Sequence, residues 1–170
     1  MSRLCSYKQN GVRIAVVGLH FGKVIIKEIL EGKAAGLFEL AAVCDIVKEK
    51  ADILASELGV KAYYDLDSLL EDETIRAIAL FTGPAGRASL IRKIIRSGRD
   101  VITTKPFELD PDEAMSVLDE ARRLGRTVHI NSPSPVLSEE LKQVKEWEQE
   151  YNLGQLVGCR CDTWIKYNEK

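Results

Sequence analysis

Apolar runs rich in β-branched residues alternate along this chain with stretches of helical period, and that alternation constrains the fold more than any other feature. The runs are "VRIAVVG", "FELAAVCD", "KAYYD", "IRAIALFTG", "DVITTKP" and "RTVHINS", each followed by a helical or turn-like segment. Strands separated by helices predict a parallel sheet with crossover helices. The runs are nearly continuous in apolar residues, as expected where helices cover both faces of the sheet. The expected class is α/β, a doubly wound parallel sheet with a C-terminal helix and an extra edge strand.

The helical segments carry their own signals. In "GKVIIKEILEG" the pairs Ile25/Ile29 and Ile26/Leu30 fall one turn apart and Gly32 can stop the helix. "KEKADILASELG" places Ala51, Leu54, Ala55 and Leu58 on one face before Gly59. "DPDEA" predicts a helix start with Asp110 as N-cap, Pro111 at the first helical position and Glu113 as the reciprocal capping-box acid, ahead of Met115, Leu118 and Ala121. Arg92, Lys93, Arg96 and Arg99 fall on an amphipathic helix and are expected to form its solvated face.

After "RTVHINS" the pattern changes. "SPSP" at Ser132 to Pro135 breaks regular structure before a helix that carries Leu141, Val144 and Trp147 on one side. The last run, "QLVGCRCDTWIKY", alternates Val157, Cys159, Cys161, Thr163 and Ile165 against Arg160, Asp162 and Trp164, the pattern of an antiparallel or edge strand. An open strand edge beside Trp164, Ile165 and Tyr167 invites pairing with a second copy, so a homodimer through this strand is expected.

At 170 residues the chain is about the size of one domain and can bury a core without disulfides or metal. The net charge of −2, with acids and bases interspersed, leaves no electrostatic footprint for nucleic acid or anionic membrane. The opening "MSRLCSYKQNGVR" lacks a long apolar stretch, and no run approaches the roughly 18 residues needed to cross a bilayer. A cytoplasmic protein is expected. Cys5, Cys44, Cys159 and Cys161 form no CxxC pair and read as buried thiols, with no metal site among them.

The chemistry points to the first strand–turn–helix, "VVGLHFGK". In an α/β sheet this junction holds a dinucleotide: glycines let the backbone approach the pyrophosphate, and the helix N-terminus supplies free N–H groups. Gly18 is expected to make the tight turn, with Leu19, His20 and Phe21 along the loop and Gly22 letting the helix lie close on the strand. His20 stands near the middle glycine of the GxGxxG pattern. A Cβ there costs on the order of 1–3 kcal/mol if φ must be positive, part of which its imidazole can offset by donating a hydrogen bond to phosphate. Asp45 closes the second strand, somewhat further from Gly18 than the usual spacing of about 20. Its carboxylate can accept from ribose hydroxyls and repel a 2′-phosphate, which favours NAD over NADP; alternatively it caps the segment starting near Val47.

With those residues in place the chain resembles the N-terminal half of the glucose-fructose oxidoreductase / inositol dehydrogenase (Gfo/Idh/MocA) family, across nearly all of residues 12 to 166. "RIAVVGLHFGKVIIKEIL" is similar to the family's opening strand, loop and helix, some members of which carry a G-x-G-x-G loop. "FELAAVCDIVKEKADILASELGVKAYYDLDSLLED" follows its second strand, ribose acid and "Y-x-D-x-x-x-L-L" stretch, and "VITTKPFELDPDEAMSVLDEARRLG" resembles its Glu-Lys-Pro segment and next helix. The resemblance implies a Rossmann domain over residues 1–131 and, over 132–170, a helix and strand that begin the family's second domain.

It also implies roles. The family's Glu-Lys-Pro lysine lies beside the nicotinamide and bonds the substrate's reacting hydroxyl; the matching residue is Lys105, with Thr104 in place of the glutamate. Ile46, Phe81, Thr82 and Gly83 match positions bordering the cofactor, Arg87 stands where many relatives have histidine, and Asn131 matches an asparagine near the substrate. Ser132 and Pro133 replace the arginine and aromatic residues that commonly follow, and the family's catalytic histidine, carried by the second domain, has no counterpart. His129 reads as a core or edge residue of a strand.

Three readings of function follow. The first is an NAD-binding oxidoreductase-type domain, with a partner chain supplying the missing part or with the cofactor kept and turnover lost. The second is a non-catalytic nucleotide-sensing or assembly module that dimerises through its terminal strand. The third, which Asp45 disfavours, is a domain for another nucleotide such as a coenzyme A derivative.

Overall fold

The computed structural model describes residues 11–32, 34–131, 139–154 and 158. The chain divides into two compact units, residues 1–132 and 133–170.

In the first unit, β1 (Val12–Val17) leads into α1 (Leu19–Leu30), β2 (Phe38–Cys44) into α2 (Lys48–Leu58), and the short β3 (Lys61–Tyr63) into α3 (Leu66–Leu70). The second half repeats the pattern with β4 (Ala77–Leu80), α4 (Arg87–Arg96), β5 (Asp100–Thr104), α5 (Pro111–Arg123) and β6 (Val128–Asn131). All strand pairs are parallel, and the six strands lie in the order β3-β2-β1-β4-β5-β6. The chain therefore winds outward from β1 in one direction and then, from β4, in the other, the arrangement of a dinucleotide-binding Rossmann fold.

Period-2 alternation within continuous apolar runs explains the two-layer core. Ile14 and Val16 of β1 face one side with Ala77 and Ala79 of β4, where they pack against Leu19, Ile26 and Ile29 of α1 and Ala51, Leu54 and Ala55 of α2. Ala15 and Val17, with Ile78 and Leu80, face the other side, against Ile91, Ile94 and Ile95 of α4 and Val117 and Ala121 of α5. The central strands β1 and β4 have no polar side to spare because both of their faces are covered, whereas the edge strands β3 and β6 are partly exposed.

The helix ends follow their sequence signals, with corrections. Gly59 takes the left-handed conformation that ends α2, at φ 66°. Asp110 caps α5 by accepting from the Asp112 and Glu113 amides, ahead of Pro111 at the first helical position. Glu113 does not complete a reciprocal capping box; its carboxylate pairs with Arg92 across the gap to α4, 3.0 Å away. Val117 takes the core position expected of Met115, whose side chain is exposed. Arg92 and Arg96 share Glu120, and Lys93 pairs with Asp67, so they form a paired surface. Arg99 departs from the solvated face: it is buried, and its guanidinium donates to the carbonyls of Asp72, Ile75 and Ser97.

The second unit contributes α6 (Glu139–Glu150), the helix expected after the proline-rich break. Cys5, Cys159 and Cys161, the "SPSP" break and the terminal strand expected from residue 155 onward lie outside the described residues, apart from Gly158.

Candidate functional site

The register brings the ends of three strands to one level. Val17 of β1 pairs with Cys44 of β2 on one side and with Leu80 of β4 on the other. The next residue on each strand, Gly18, Asp45 and Phe81, therefore stands side by side at the C-terminal edge, where β1 and β4 part company. Backbone bonds fix this corner: Gly18 N–H donates to Cys44 O at 2.9 Å, and Phe81 N–H to Val17 O at 2.8 Å.

Gly18 is a glycine for two separate reasons. Its φ is +85°, and a Cβ on it would lie 2.7 Å from the carbonyl oxygen of Phe81. A single residue turns the chain: α1 begins at Leu19, and the Gly22 amide already makes a helical bond to Gly18 O. His20 and Gly22 thus lie inside the helix. His20 has an ordinary negative φ and an exposed side chain, so the positive-φ strain considered for it does not arise. Gly22 has a packing reason instead, because a Cβ there would meet Val16 Cγ1 at 2.7 Å.

The start of α1 leaves the amides of Leu19, His20 and Phe21 without helical acceptors. Asp45 takes the first: its Oδ2 accepts from Leu19 N–H at 2.9 Å while Oδ1 accepts from Val47 N–H at 3.0 Å. The capping alternative for Asp45 is thus realised at Val47, the N-cap of α2, and the same carboxylate also reaches the end of α1. The amides of His20 and Phe21 remain at the positive end of the helix dipole, a ready site for an anion.

A cleft of about 440 Å³ opens beside this corner, lined by Gly18, Asp45, Ile46, Thr82 and Gly83 of the expected set, with Tyr64, Leu66 and Leu90 making it largely apolar. Ile46 stands at 88% exposed. Cys44 also lines the cleft, and burial, reinforced by Asp65 and Asp45, pushes its thiol up to about 12, so it stays protonated at neutral pH. Of the other expected residues, Leu19, Gly22 and Phe81 are buried in the core and present only backbone to the site, while Phe21 packs edge-on to Phe81 at 5.3 Å. A larger cleft of about 690 Å³ lies at the opposite end of the strands, among Arg13, Glu39, Arg76, Asp100 and Arg126. Strand starts line it and no helix start does.

The far side of the site is built differently. Lys105 is exposed just beyond β5, at a cis Lys105–Pro106 peptide, and Asn131 ends β6 beside Thr104, whose hydroxyl donates to Asn131 O at 3.4 Å. Neither Lys105 nor Asn131 lines the cleft. Arg87, only 2% exposed, extends under both loops, donating from Nη1 to Thr104 O at 2.7 Å and to Pro106 O, and from Nη2 to Thr82 O. Glu108 accepts from Ala88 N–H at 2.8 Å and Gly86 N–H at 3.3 Å, capping α4 from the loop after β5. The sequence singled out Arg87 by its substitution, without its role, and gave no signal for Glu108. His129 sits on β6 as an exposed strand residue.

A dinucleotide fits what is present. The free amides of α1 suit a pyrophosphate, the carboxylate beside them suits ribose hydroxyls, and the Thr82 hydroxyl, closed to solvent and without a partner, is a polar group in want of one. Among the described residues no group of three or more His, Cys, Asp or Glu could hold a metal ion, and no helix is long and apolar enough to cross a membrane.

Comparison with known proteins agrees with this geometry. Residues 12–132 match the model of the GFO_IDH_MocA family, described as "Oxidoreductase family, NAD-binding Rossmann fold". The inositol 2-dehydrogenase/D-chiro-inositol 3-dehydrogenase of Lactiplantibacillus plantarum is 25% identical over 117 residues, covering 67% of this chain and 33% of its own. The scyllo-inositol 2-dehydrogenase (NAD(+)) of Bacillus subtilis is 27% identical over 119 residues, covering 69% and 34%. The chain thus spans about a third of the length of these curated relatives. Among solved structures, GenD2 from gentamicin A biosynthesis in complex with NAD superposes with a TM-score of 0.66 at 26% identity, over 73% of this chain and 35% of that one. The scyllo-inositol dehydrogenase of Lactobacillus casei with NAD(H) and scyllo-inositol bound shares the fold, with a TM-score of 0.72 at 19% identity, over 85% and 43%.

Proposed function

The chain belongs to the Gfo/Idh/MocA oxidoreductase family as an NAD-binding Rossmann domain, and on that premise we propose that the cleft between the β1 and β4 ends holds NAD for a dehydrogenase reaction on a polyol or sugar-like hydroxyl. The observation that carries the reading is the pairing of unsatisfied α1 amides with the Asp45 carboxylate one strand away. The His20 and Phe21 amides hold the pyrophosphate, with Gly18 supplying the turn, and Leu19 and Gly22 seating the helix on the sheet. Asp45 gives up the Leu19 amide to accept from ribose hydroxyls, and its charge repels a 2′-phosphate, which favours NAD over NADP. Ile46 covers the adenine edge, and Phe81, Thr82 and Gly83 border the nicotinamide half.

Bound NAD supplies two-electron oxidation at its nicotinamide. Lys105 is the residue we assign to catalysis: its ammonium donates a hydrogen bond to the substrate's reacting oxygen and, by its charge, stabilises the alkoxide that forms as the hydroxyl proton passes to water. Asn131, one strand over, orients the substrate. A partner chain supplies the remaining substrate contacts, copies pair through residues 155–170, and the protein works in the cytoplasm. The half-exposed apolar faces of Val144 and Trp147 on α6 support a further protein contact beyond the Rossmann unit.

Titration of the purified chain with NADH and with NADPH, followed by fluorescence and melting temperature, tests the cofactor assignment. NADH at a hundred times its Kd is expected to stabilise the fold by about 2.7 kcal/mol, with Asp45→Ala reducing the gain. Stabilisation by neither nucleotide overturns the reading and favours the non-catalytic assembly module.

A further inference from the structure

The strand order fixes which part of the sheet each half of a dinucleotide must cover. With the pyrophosphate at the start of α1 and the ribose acid on β2, the other half extends the opposite way, over the ends of β4 and β5. The surfaces it meets there are the backbone of residues 82–83 and of residues 104–106. Thr104 ends β5 and the other residues lie beyond the strand ends; the β4–β5 ladder stops at Ala79 and Ile102, and past it the Thr103 hydroxyl donates to Leu80 O at 2.9 Å.

Arg87 joins them. It is the first residue of α4, yet its guanidinium turns inward beneath the loops. Nη2 donates to Thr82 O in the loop after β4; Nη1 donates to Thr104 O at the end of β5 and, in the loop after it, to Pro106 O and, at 3.4 Å, to Phe107 O. No carboxylate is hydrogen-bonded to it, an unusual setting for a buried cation: backbone carbonyls take its Nη1 and Nη2 groups, the charge of Glu108 stands nearby, and Nε is closed to solvent without a partner. Burial lowers its pKa, and the nearby charge of Glu108 opposes that shift. Glu108 holds the same β5 loop to the N-terminal amides of α4. Every hydrogen bond described for this guanidinium goes to the backbone of the loop after β4 or to that of the last residue of β5 and the loop after it.

We propose that Arg87 is the positioning residue for the nicotinamide half of the site, its guanidinium setting the separation of the β4 and β5 loops while leaving the adenosine half untouched. This rests on the cofactor reading above. Arginine suits the task because its planar fork can bond carbonyls on two sides at once, which the single ammonium of lysine does poorly.

The test compares Arg87→Met and Arg87→Lys with wild type in the full chain, using NADH and ADP as probes. ADP reaches the α1 amides, Asp45 and the Thr82–Gly83 wall of the same cleft, but not the loop after β5. Arg87→Met is expected to weaken NADH about tenfold or more while ADP changes by less than about twofold, and Arg87→Lys to recover part of the NADH loss. Should the methionine variant fail to fold, the lysine variant carries the same selective comparison. Hydrogen exchange of the ligand-free proteins adds a second readout, with faster exchange expected at residues 82–86 and 104–109 and unchanged exchange at 18–22. Equal weakening of both ligands, or unchanged NADH affinity, overturns the proposal. Absence of NADH binding by wild type overturns the cofactor reading instead, and the exchange comparison then decides whether Arg87 separates the loops.

Discussion

The two halves of the cleft are held together by different means. At the β1 corner the backbone does most of the work: Gly18 presses against Phe81 of the β4 end, strand ends are tied amide to carbonyl, and one side chain, Asp45, joins the starts of α1 and α2. At the β4–β5 end side chains do it: Arg87 beneath the loops, Glu108 on the start of α4, and the Thr103 hydroxyl on Leu80 O. A backbone-built corner tolerates few residue types at its tight points, whereas a side-chain-built corner depends on long, adaptable groups that reach their partners from a distance. The first is therefore rigid and sensitive to a single methyl, and the second is sensitive to charge and pH.

The sharpest way to break that contrast is to add the same methyl at each end. Gly18→Ala combines a positive φ with a Cβ 2.7 Å from a backbone oxygen that cannot turn away. It is expected to cost roughly 3 kcal/mol or more in urea unfolding. Gly86→Ala, at the N-cap of α4, has a φ of +71° but nothing within 4 Å of the new Cβ. Only the conformational penalty of about 1–2 kcal/mol remains there. Equal losses at the two positions would remove the distinction between the halves.

The same contrast explains what could be read from the residues alone. The sheet was legible because Ile14–Val17, Leu40–Cys44 and Ala77–Leu80 are apolar on both faces, and only a sheet covered twice requires that. Gly18 and Asp45 were legible because few residue types meet the local demands of a turn and a strand-end acceptor. Arg87 was visible as a departure from its relatives, but nothing local announces that a guanidinium will turn inward to carbonyls 17 and 19 positions away. Glu108 looked like any loop acid. Arg99 was misread for a similar reason: its spacing matches the polar face of α4, but it lies past the helix end and turns under it to Asp72 and Ile75. His20 was misplaced because the turn uses one residue fewer than the glycine pattern suggests.

A smaller effect, confined to acid, separates the halves by pH. Amide bonds from Ala88 first, then Leu109, hold the Glu108 carboxyl below its usual range. Because the folded pKa is lowered, its contribution is fully present above the unfolded value of about 4.3 and is lost as pH falls through the folded one. Glu108→Gln is expected to be less stable than wild type at pH 7, with the gap closing between about pH 5 and 3. Urea midpoints across that range check it, and a gap that persists at pH 3 would assign the loss to packing instead of charge.

The smallest expected change is at His20, where the glycine pattern invites restoring a glycine. Were His20 strained, His20→Gly would stabilise the chain and tighten nucleotide binding together. The structure gives it a helical backbone and an exposed ring at the second position of α1, so there is no strain to relieve. Glycine in a helix costs about 0.5–1 kcal/mol relative to alanine, and somewhat less relative to histidine. His20→Gly is therefore expected to lower the urea midpoint slightly and to leave NADH affinity within about twofold, since the ligand-facing group at this position is the amide, which glycine keeps. A gain in stability would mean that the turn runs one residue longer than Gly18 alone. A large loss of affinity with stability unchanged would instead assign the imidazole to the pyrophosphate, adding a second side chain to Asp45 at this end of the cleft.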